Sequence, residues 1–475
     1  MVHAAAANRW LLWRMQELKL SELIGALSYA LDMTEGQPKG HCMRCAYIGT
    51  AVGREIGLDT RQRWELYYTL LLKDLGCSSN AARICELYLT DDLQFKRDFK
   101  LVGGSLPQAV RFVLTHTGLK AGLADRFRAT IEIFQHGGQI AHDLIQTRCQ
   151  RGADIARQLR FGEGVAAGIH SLDEHWDGSG KPDGLRGEQI SLYGRIALLS
   201  QVIDVFNTAG GSAAVLEEVR KRSGQWFDPV LIHAFEKVAS QPDFWTGLGA
   251  ADLPERVGAL EPAQHSVPLD DEYLDEIAEG FGQIIDAKSP FTAGHSARVG
   301  LYTDLIAEQL GVSVERRRWL RRGALLHDIG KLGVSNSLLD KPGKLDALEW
   351  EAMRLHALYT EQILSGIAPF AELARIAGAH HEKLDGTGYP RGLKAPDIAL
   401  ETRIITTADI FDAISADRPY RAAIPVAETL QIMQKTVGTA LDARCMSALR
   451  RTAMRVEAEF TTRAPPDLSA DTMVA

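Results

Sequence analysis

Two stretches of this chain occur twice. Gly40-His41-Cys42-Met43-Arg44 returns as Gly294-His295-Ser296-Ala297-Arg298, and Leu71-Leu72-Lys73-Asp74-Leu75-Gly76 returns as Leu325-Leu326-His327-Asp328-Ile329-Gly330. The members of both pairs stand 254 residues apart. Further along, Asp177-Gly178-Ser179-Gly180-Lys181-Pro182 returns as Asp385-Gly386-Thr387-Gly388-Tyr389-Pro390, Arg195-Ile196 as Arg403-Ile404, and Asp204 as Asp412, all 208 residues apart. The two spacings differ by 46, which places an insertion in the first copy between Asp74 and about Arg148. Solenoid repeats have periods of only ~20–50 residues, so a repeat this long is a duplicated domain. The chain must therefore fold as two like units in tandem, residues 1–265 and 266–475.

Periodicity sets the class. Leu274, Ile277, Ala278, Phe281, Ile284 and Ile285 follow the three-and-four spacing of one helix face. Asp346 and Glu349 form a capping box, which predicts a helix start there and a helix carrying Met353, His356 and Ile363. Alternating strand patterns are scarce, so the fold class is all-α. Pro254, Pro262 and Pro268 bracket an aperiodic stretch that marks the junction near residue 265. A tail after about Thr461, with Pro465 and Pro466, is expected to be disordered. Met1 to Met15 is too short and too polar for a signal peptide or membrane span, and no run approaches ~18 apolar residues. Six cysteines suit a reducing compartment better than a disulfide framework, and Cys42 and Cys45 read as core helix residues rather than a zinc knuckle. With a net charge of −8 there is no global pull towards nucleic acid polymers or anionic membranes. The expectation is a cytoplasmic protein. The dense basic run Arg316–Arg322 reads as a solvated helix face.

The chemistry concentrates in the second copy. All five histidines after residue 266 are His295, His327, His356, His380 and His381. Neutral imidazole is the commonest protein ligand for a transition metal. Asp328 follows His327, Lys331 comes four residues after it on the expected helix face, and Asp409 lies in an otherwise apolar helix. A carboxylate in such a helix is costly unless paired or bound to a cation. One buried histidine is usually a satisfied core residue. Five, with two aspartates and none spare, point to a metal site.

His327-Asp328 with Gly330-Lys331, then His380-His381-Glu382, the Asp385–Pro390 loop and Arg418-Pro419-Tyr420-Arg421 resemble the HD-GYP family over about residues 285–450. These are all-helical HD-superfamily phosphohydrolases, many of which open cyclic di-GMP. The resemblance implies metal ligands at His295, His327, Asp328, His356, His380, His381 and Asp409, with Asp328 bridging two ions. It places Lys331 near the scissile phosphate, Gly388 and Tyr389 beside the substrate, and Arg418 and Arg421 on its phosphates. Some members hold a third metal through a glutamate four residues before the first histidine; here that residue is Phe291, so two ions are expected. Mixed histidine and carboxylate ligands suit iron or manganese. Two metals would supply the nucleophile and stabilise charge on the attacked phosphate. Lysine neutralises a phosphate oxygen as a point charge, and arginine grips one as a fork.

In the first copy the ligand set has decayed. His41 and Asp74 are kept, but the counterparts of His327, His356, His380, His381 and Asp409 are Lys73, Arg148, Leu172, Asp173 and Gln201. Cys77 stands for Lys331, and Gly210 and Ala213 stand for Arg418 and Arg421. Residues 1–265 therefore read as a degenerate, non-catalytic copy: a packing partner, a homodimer or protein-partner surface, or an anion site built from Lys73, Arg148 and Lys181. A new metal site from His170 and His175 is the other alternative. The whole reads as a metal-dependent phosphodiesterase converting cyclic di-GMP to linear pGpG or GMP. The alternatives are a low-turnover nucleotide-binding scaffold and a phosphohydrolase of another cyclic dinucleotide.

Overall fold

A computed structural model describes residues 18–103, 106–262, 267–416 and 422–462. Among these the protein is helical, with short 3-10 turns, three isolated bridges and no strand. The all-α expectation holds. The junction near residue 265, the start Met1–Met15, most of the tail after Thr461, and both Arg418 and Arg421 lie outside the described residues.

The chain forms two compact units, residues 1–294 with 328–375, and residues 295–327 with 376–475. In the first, the helix His41–Glu55 packs against Thr60–Leu72 and against Leu192–Lys221. In the second, His295–Gln309 packs against Val314–Leu326 and Leu400–Ser415. These are the same three helices shifted by the two repeat spacings, so the duplication in sequence is a duplication of a helical core.

Local signals explain the ends. Asp346 accepts the Glu349 amide while the Glu349 side chain accepts the Asp346 amide, which is the capping box expected there. The helix Asp271–Asp286 buries Leu274, Ile277, Phe281, Ile284 and Ile285 on one face. Cys42 and Cys45 are buried on the His41–Glu55 helix, as core residues.

The basic run departs from expectation. Trp319, Leu320 and Arg322 are buried. Arg316 pairs with Glu401 at 2.8 Å and lies over the Trp319 ring, and Arg317 pairs with Asp304 at 2.7 Å and Glu308 at 3.0 Å. The run faces the neighbouring helices, where long aliphatic stems add packing area and the heads find carboxylates.

One buried carboxylate of the first copy reaches into the second repeat. Asp92 accepts from the Ser335 hydroxyl at 3.0 Å, the Asn336 amide at 2.8 Å and the Lys288 ammonium at 3.4 Å. Asp92 and Lys288 are almost wholly buried, so each needs the other. Ser335 and Asn336 follow Lys331 by four and five residues, and Lys288 precedes His295 by seven.

Candidate metal centre

His295, His327 and Asp409 lie in the unit formed by residues 295–327 and 376–475, and one donor atom from each sits within 4.8 Å of the others. His295 opens its helix, His327 follows the last residue of Val314–Leu326, and Asp409 projects from Leu400–Ser415. The Asp409 carboxylate is 3.5 Å from His295 Nε2 and 3.7 Å from His327 Nε2. Both distances are too long for a hydrogen bond. They match the edge of a tetrahedron whose ligands stand ~2.1 Å from one ion, about 3.4 Å. His380 meets His327 edge-on at 4.8 Å, and His381 lies 3.9 Å from His380 between ring centroids. Burial alone would raise the Asp409 carboxyl, but His327, His295 and His381 hold it well below the usual carboxylate range.

Asp328 and His356 lie in the other unit, with Asp328 Oδ1 3.6 Å from His356 Nε2. Lys331 Nζ donates to Asp328 Oδ2 at 2.5 Å. The chain passes from one unit to the other at the peptide bond joining His327 to Asp328.

The imidazoles are prepared in one way. His327 Nδ1 meets the Ala324 carbonyl, His356 Nδ1 the Met353 carbonyl and His380 Nδ1 the Ala377 carbonyl, each at 2.7 Å. A carbonyl can only accept, so the proton is on Nδ1 and the lone pair on Nε2. His295 Nδ1 is held by Asp412 at 2.7 Å, and Arg298 fixes that carboxylate at 2.5 Å. Four histidines thus present Nε2 as the basic nitrogen, the tautomer a divalent metal requires. The donor set fits metal ions.

One local expectation is corrected. The α-helix does not run through His327 to Lys331; it ends at Leu326, and Ile329–Gly333 is a 3-10 turn that carries Lys331 back to Asp328. Gly330 lies in that turn, where a Cβ would collide with the His356 carbonyl. His380 and His381 lie in the turn that follows Ala371–Ala377.

The loop that follows is braced from inside. Glu382 is buried and accepts the Arg391 amide at 2.6 Å and the Leu393 amide at 2.8 Å. Gly386 has φ +85°, and a Cβ on Gly388 would meet the backbone of Glu382 and Lys383. Tyr389 packs on His381 with ring centroids 4.7 Å apart. Gly388 is therefore required by the loop's path and Tyr389 by its contact with a candidate ligand. Asp412, Arg298 and Glu382 were not singled out as functional from the sequence. Their signal was present: all three recur in the first copy, as Asp204, Arg44 and Glu174.

In the first copy the proposed pair His170 and His175 does not assemble a site. His170 meets Asp183 at 3.0 Å, while His175 stacks on Trp226 and bonds Ser179. Two other donor clusters, His41 with Cys45 and Asp204, and Glu35 with Asp74 and Cys77, already contain protein cations. Arg44 pairs with Asp204, Lys73 with Asp74, and Lys100 with Glu35 at 2.8 Å. No described helix is long and apolar enough to cross a membrane.

The HD domain family model matches residues 129–231 and 280–445. The chain is 57% identical over 442 residues to 3'3'-cGAMP-specific phosphodiesterase 3 of Vibrio cholerae, covering 93% of this chain and 96% of that protein. It is 38% identical over 184 residues to the cyclic di-GMP phosphodiesterase response regulator RpfG of Xanthomonas campestris, covering 38% of this chain and 49% of that one. Among solved structures, a cyclic GMP-AMP-specific phosphodiesterase of V. cholerae superimposes with a TM-score of 0.64 at 51% identity, over 94% of this chain and 98% of that chain.

Proposed function

The chain belongs to the HD-GYP family of HD-domain phosphohydrolases, and on that footing we propose that it is a metal-dependent phosphodiesterase of cyclic dinucleotides whose preferred substrate is 3'3'-cGAMP. The preference rests on the match to the cGAMP-specific phosphodiesterase, which extends over 93% of this chain. The relative that acts on cyclic di-GMP and is compared above matches over 38%. Cyclic di-GMP is accordingly the second substrate to test.

His295, His327, Asp328, His356, His380, His381 and Asp409 would hold two divalent ions, iron or manganese, with Asp328 shared. Bound there, the ions would supply a nucleophile at neutral pH and draw charge from the attacked phosphate. The chain's own residues do the rest. Carbonyls at Ala324, Met353 and Ala377 keep Nε2 of three histidines in the ligating state. Asp412 does this for His295. Lys331, held against Asp328, brings an ammonium to a non-bridging oxygen. The Glu382-braced loop presents Tyr389 beside His381, where it can flank a base or ribose. Arg418 and Arg421 are the candidates for gripping the second phosphate.

The observation that carries this reading is the common preparation of four buried imidazoles, each with Nδ1 tied and Nε2 basic. The test is a panel of 3'3'-cGAMP, cyclic di-GMP and cyclic di-AMP offered to iron- or manganese-loaded protein. Hydrolysis of 3'3'-cGAMP at least about tenfold faster in kcat/KM, or about 1.4 kcal/mol of discrimination, is expected. Equal or reversed rates would overturn the substrate assignment, and tight binding without product would support the scaffold alternative.

A further inference from the structure

The insertion that distinguishes the first copy carries a bare apolar seam. The helix Leu123–Gln158 is 36 residues long. One side packs on the chain through Ala129 and Ile133, which are buried. The opposite side does not. Leu123 is 86% exposed, Phe127 68%, Ile131 38% and Phe134 50%. At 100° per residue these four fall within an arc of about 80°. Gly138, Ala141 and Ile145 continue the same arc. From Phe127 the spacing runs four, three, four, three, four, which is the seam of a coiled coil.

Gly138 deepens the argument. A glycine in a helix interior costs about 1 kcal/mol relative to alanine. Among the described residues nothing lies within 4 Å of where its Cβ would be, so nothing there demands it. A partner helix in close approach would.

We infer that this seam is a two-fold, antiparallel interface with a second copy of the same chain. The order of sizes along it selects that partner. Placing Phe134 over Gly138 of a copy running the other way sets Ile131 over Ala141 and Phe127 over Ile145. Two of these three layers match a large side chain to a small one, and the third pairs two apolar residues. A two-fold contact needs this self-complementarity, because each layer occurs twice with the roles exchanged. Leu119 and Leu114, in the segment just before this helix, are exposed as well. Arg126 donates to the Leu114 carbonyl at 3.0 Å, which ties that turn to the helix start. Leu119 is 61% and Leu114 47% exposed. At roughly 65–140 Å² of bare apolar surface apiece, these six side chains come to about 600 Å², most of the ~800 Å² per partner of a stable interface.

The inference is independent of the chemistry proposed above, because its readout is mass. Light scattering on the full-length chain between about 1 and 50 μM, a range that brackets ordinary specific interfaces, is expected to give twice the chain mass. Phe127→Glu with Phe134→Glu is expected to halve that mass while far-ultraviolet circular dichroism and hydrolysis stay unchanged. Gly138→Leu, which fills the hollow and favours the helix, is expected to weaken association by at least tenfold, about 1.4 kcal/mol. A wild-type chain of single mass throughout that range would overturn the inference and assign the seam to a different protein. So would a doubled mass that persists in the paired phenylalanine variant.

Discussion

The two copies hold their first imidazole in the same way and treat what lies beyond it in opposite ways. His41 Nδ1 meets Asp204 at 2.6 Å and Arg44 meets that carboxylate at 2.5 Å; His295 meets Asp412 at 2.7 Å and Arg298 meets it at 2.5 Å. The brace under the glycine loop is kept as well, by Glu174 on the amides of Asp183, Gly184 and Leu185, and by Glu382 on Arg391 and Leu393. What differs is the cation. In the first copy the Lys73 ammonium pairs with Asp74 and reaches His41 Nε2 and Gln201 Oε1, each at 3.1 Å. Those three are the counterparts of Asp328, His295 and Asp409. Arg148, the counterpart of His356, pairs with Asp173, the counterpart of His381. Two side-chain cations thus engage four positions whose counterparts in the second copy are candidate metal ligands. A centre can lose its ions and keep its shape if the chain supplies the positive charge.

The sharpest way to break this comparison is to make the same change in both copies. Asp328→Ala is expected to lower kcat/KM by more than about 10³ and to reduce bound metal, since a candidate ligand is removed. Asp74→Ala should leave metal stoichiometry at two per chain by elemental analysis. A fall in metal content in that variant would show that the first copy binds ions after all.

Next in size is stability. Lys73→Met leaves Asp74 as a buried, unpaired carboxylate and is expected to cost about 3–5 kcal/mol in denaturant unfolding. Lys73→Met combined with Asp74→Leu should recover most of that loss, because no charge is stranded. If the single variant is neutral, the ammonium does not stand in for an ion.

A smaller effect separates the two braces. Glu382→Gln weakens charge-assisted bonds to Arg391 and Leu393 beneath the loop that carries Tyr389, and should lower kcat/KM about tenfold. Glu174→Gln is expected to change the rate less than twofold. Equal effects would mean that the first copy's loop serves the reaction.

The smallest effect is in pH. Burial holds His175, stacked on Trp226, down at about 4, and burial with the Lys73 charge does the same for His41. The unfolded chain takes up those protons near 6.5 and the folded chain does not. Their stabilisation is therefore whole above about pH 6.5 and is lost as the pH falls towards 4. Asp32, raised to about 6 by burial, works the other way over a lower window. Between pH 7 and 6 the loss from each histidine is about 0.7 kcal/mol, so His175→Gln should flatten the slope by that amount in unfolding measured at both pH values.

Much of this was legible in residue types. Repeat spacing gave the duplicated core, and helical periodicity gave the class, because buried faces impose both. The candidate ligands were visible because histidines and an aspartate in apolar surroundings are expensive. The close approach of the His356 carbonyl to Gly330 was not visible, since it joins residues far apart along the chain. Nor was the burial of Arg322, because a run of arginines reads the same whether it faces water or a neighbouring helix. Supporting residues such as Asp412 look ordinary singly and acquire meaning only from their partners.

Asp92 ties the first copy to the second repeat. Its carboxylate seats the residues on either side of the stretch from His295 to Lys331, through Lys288 before it and Ser335 and Asn336 after it. Cutting the gene at the midpoint would leave the buried Lys288 ammonium without the Asp92 carboxylate and take the same acceptor from Ser335 and Asn336.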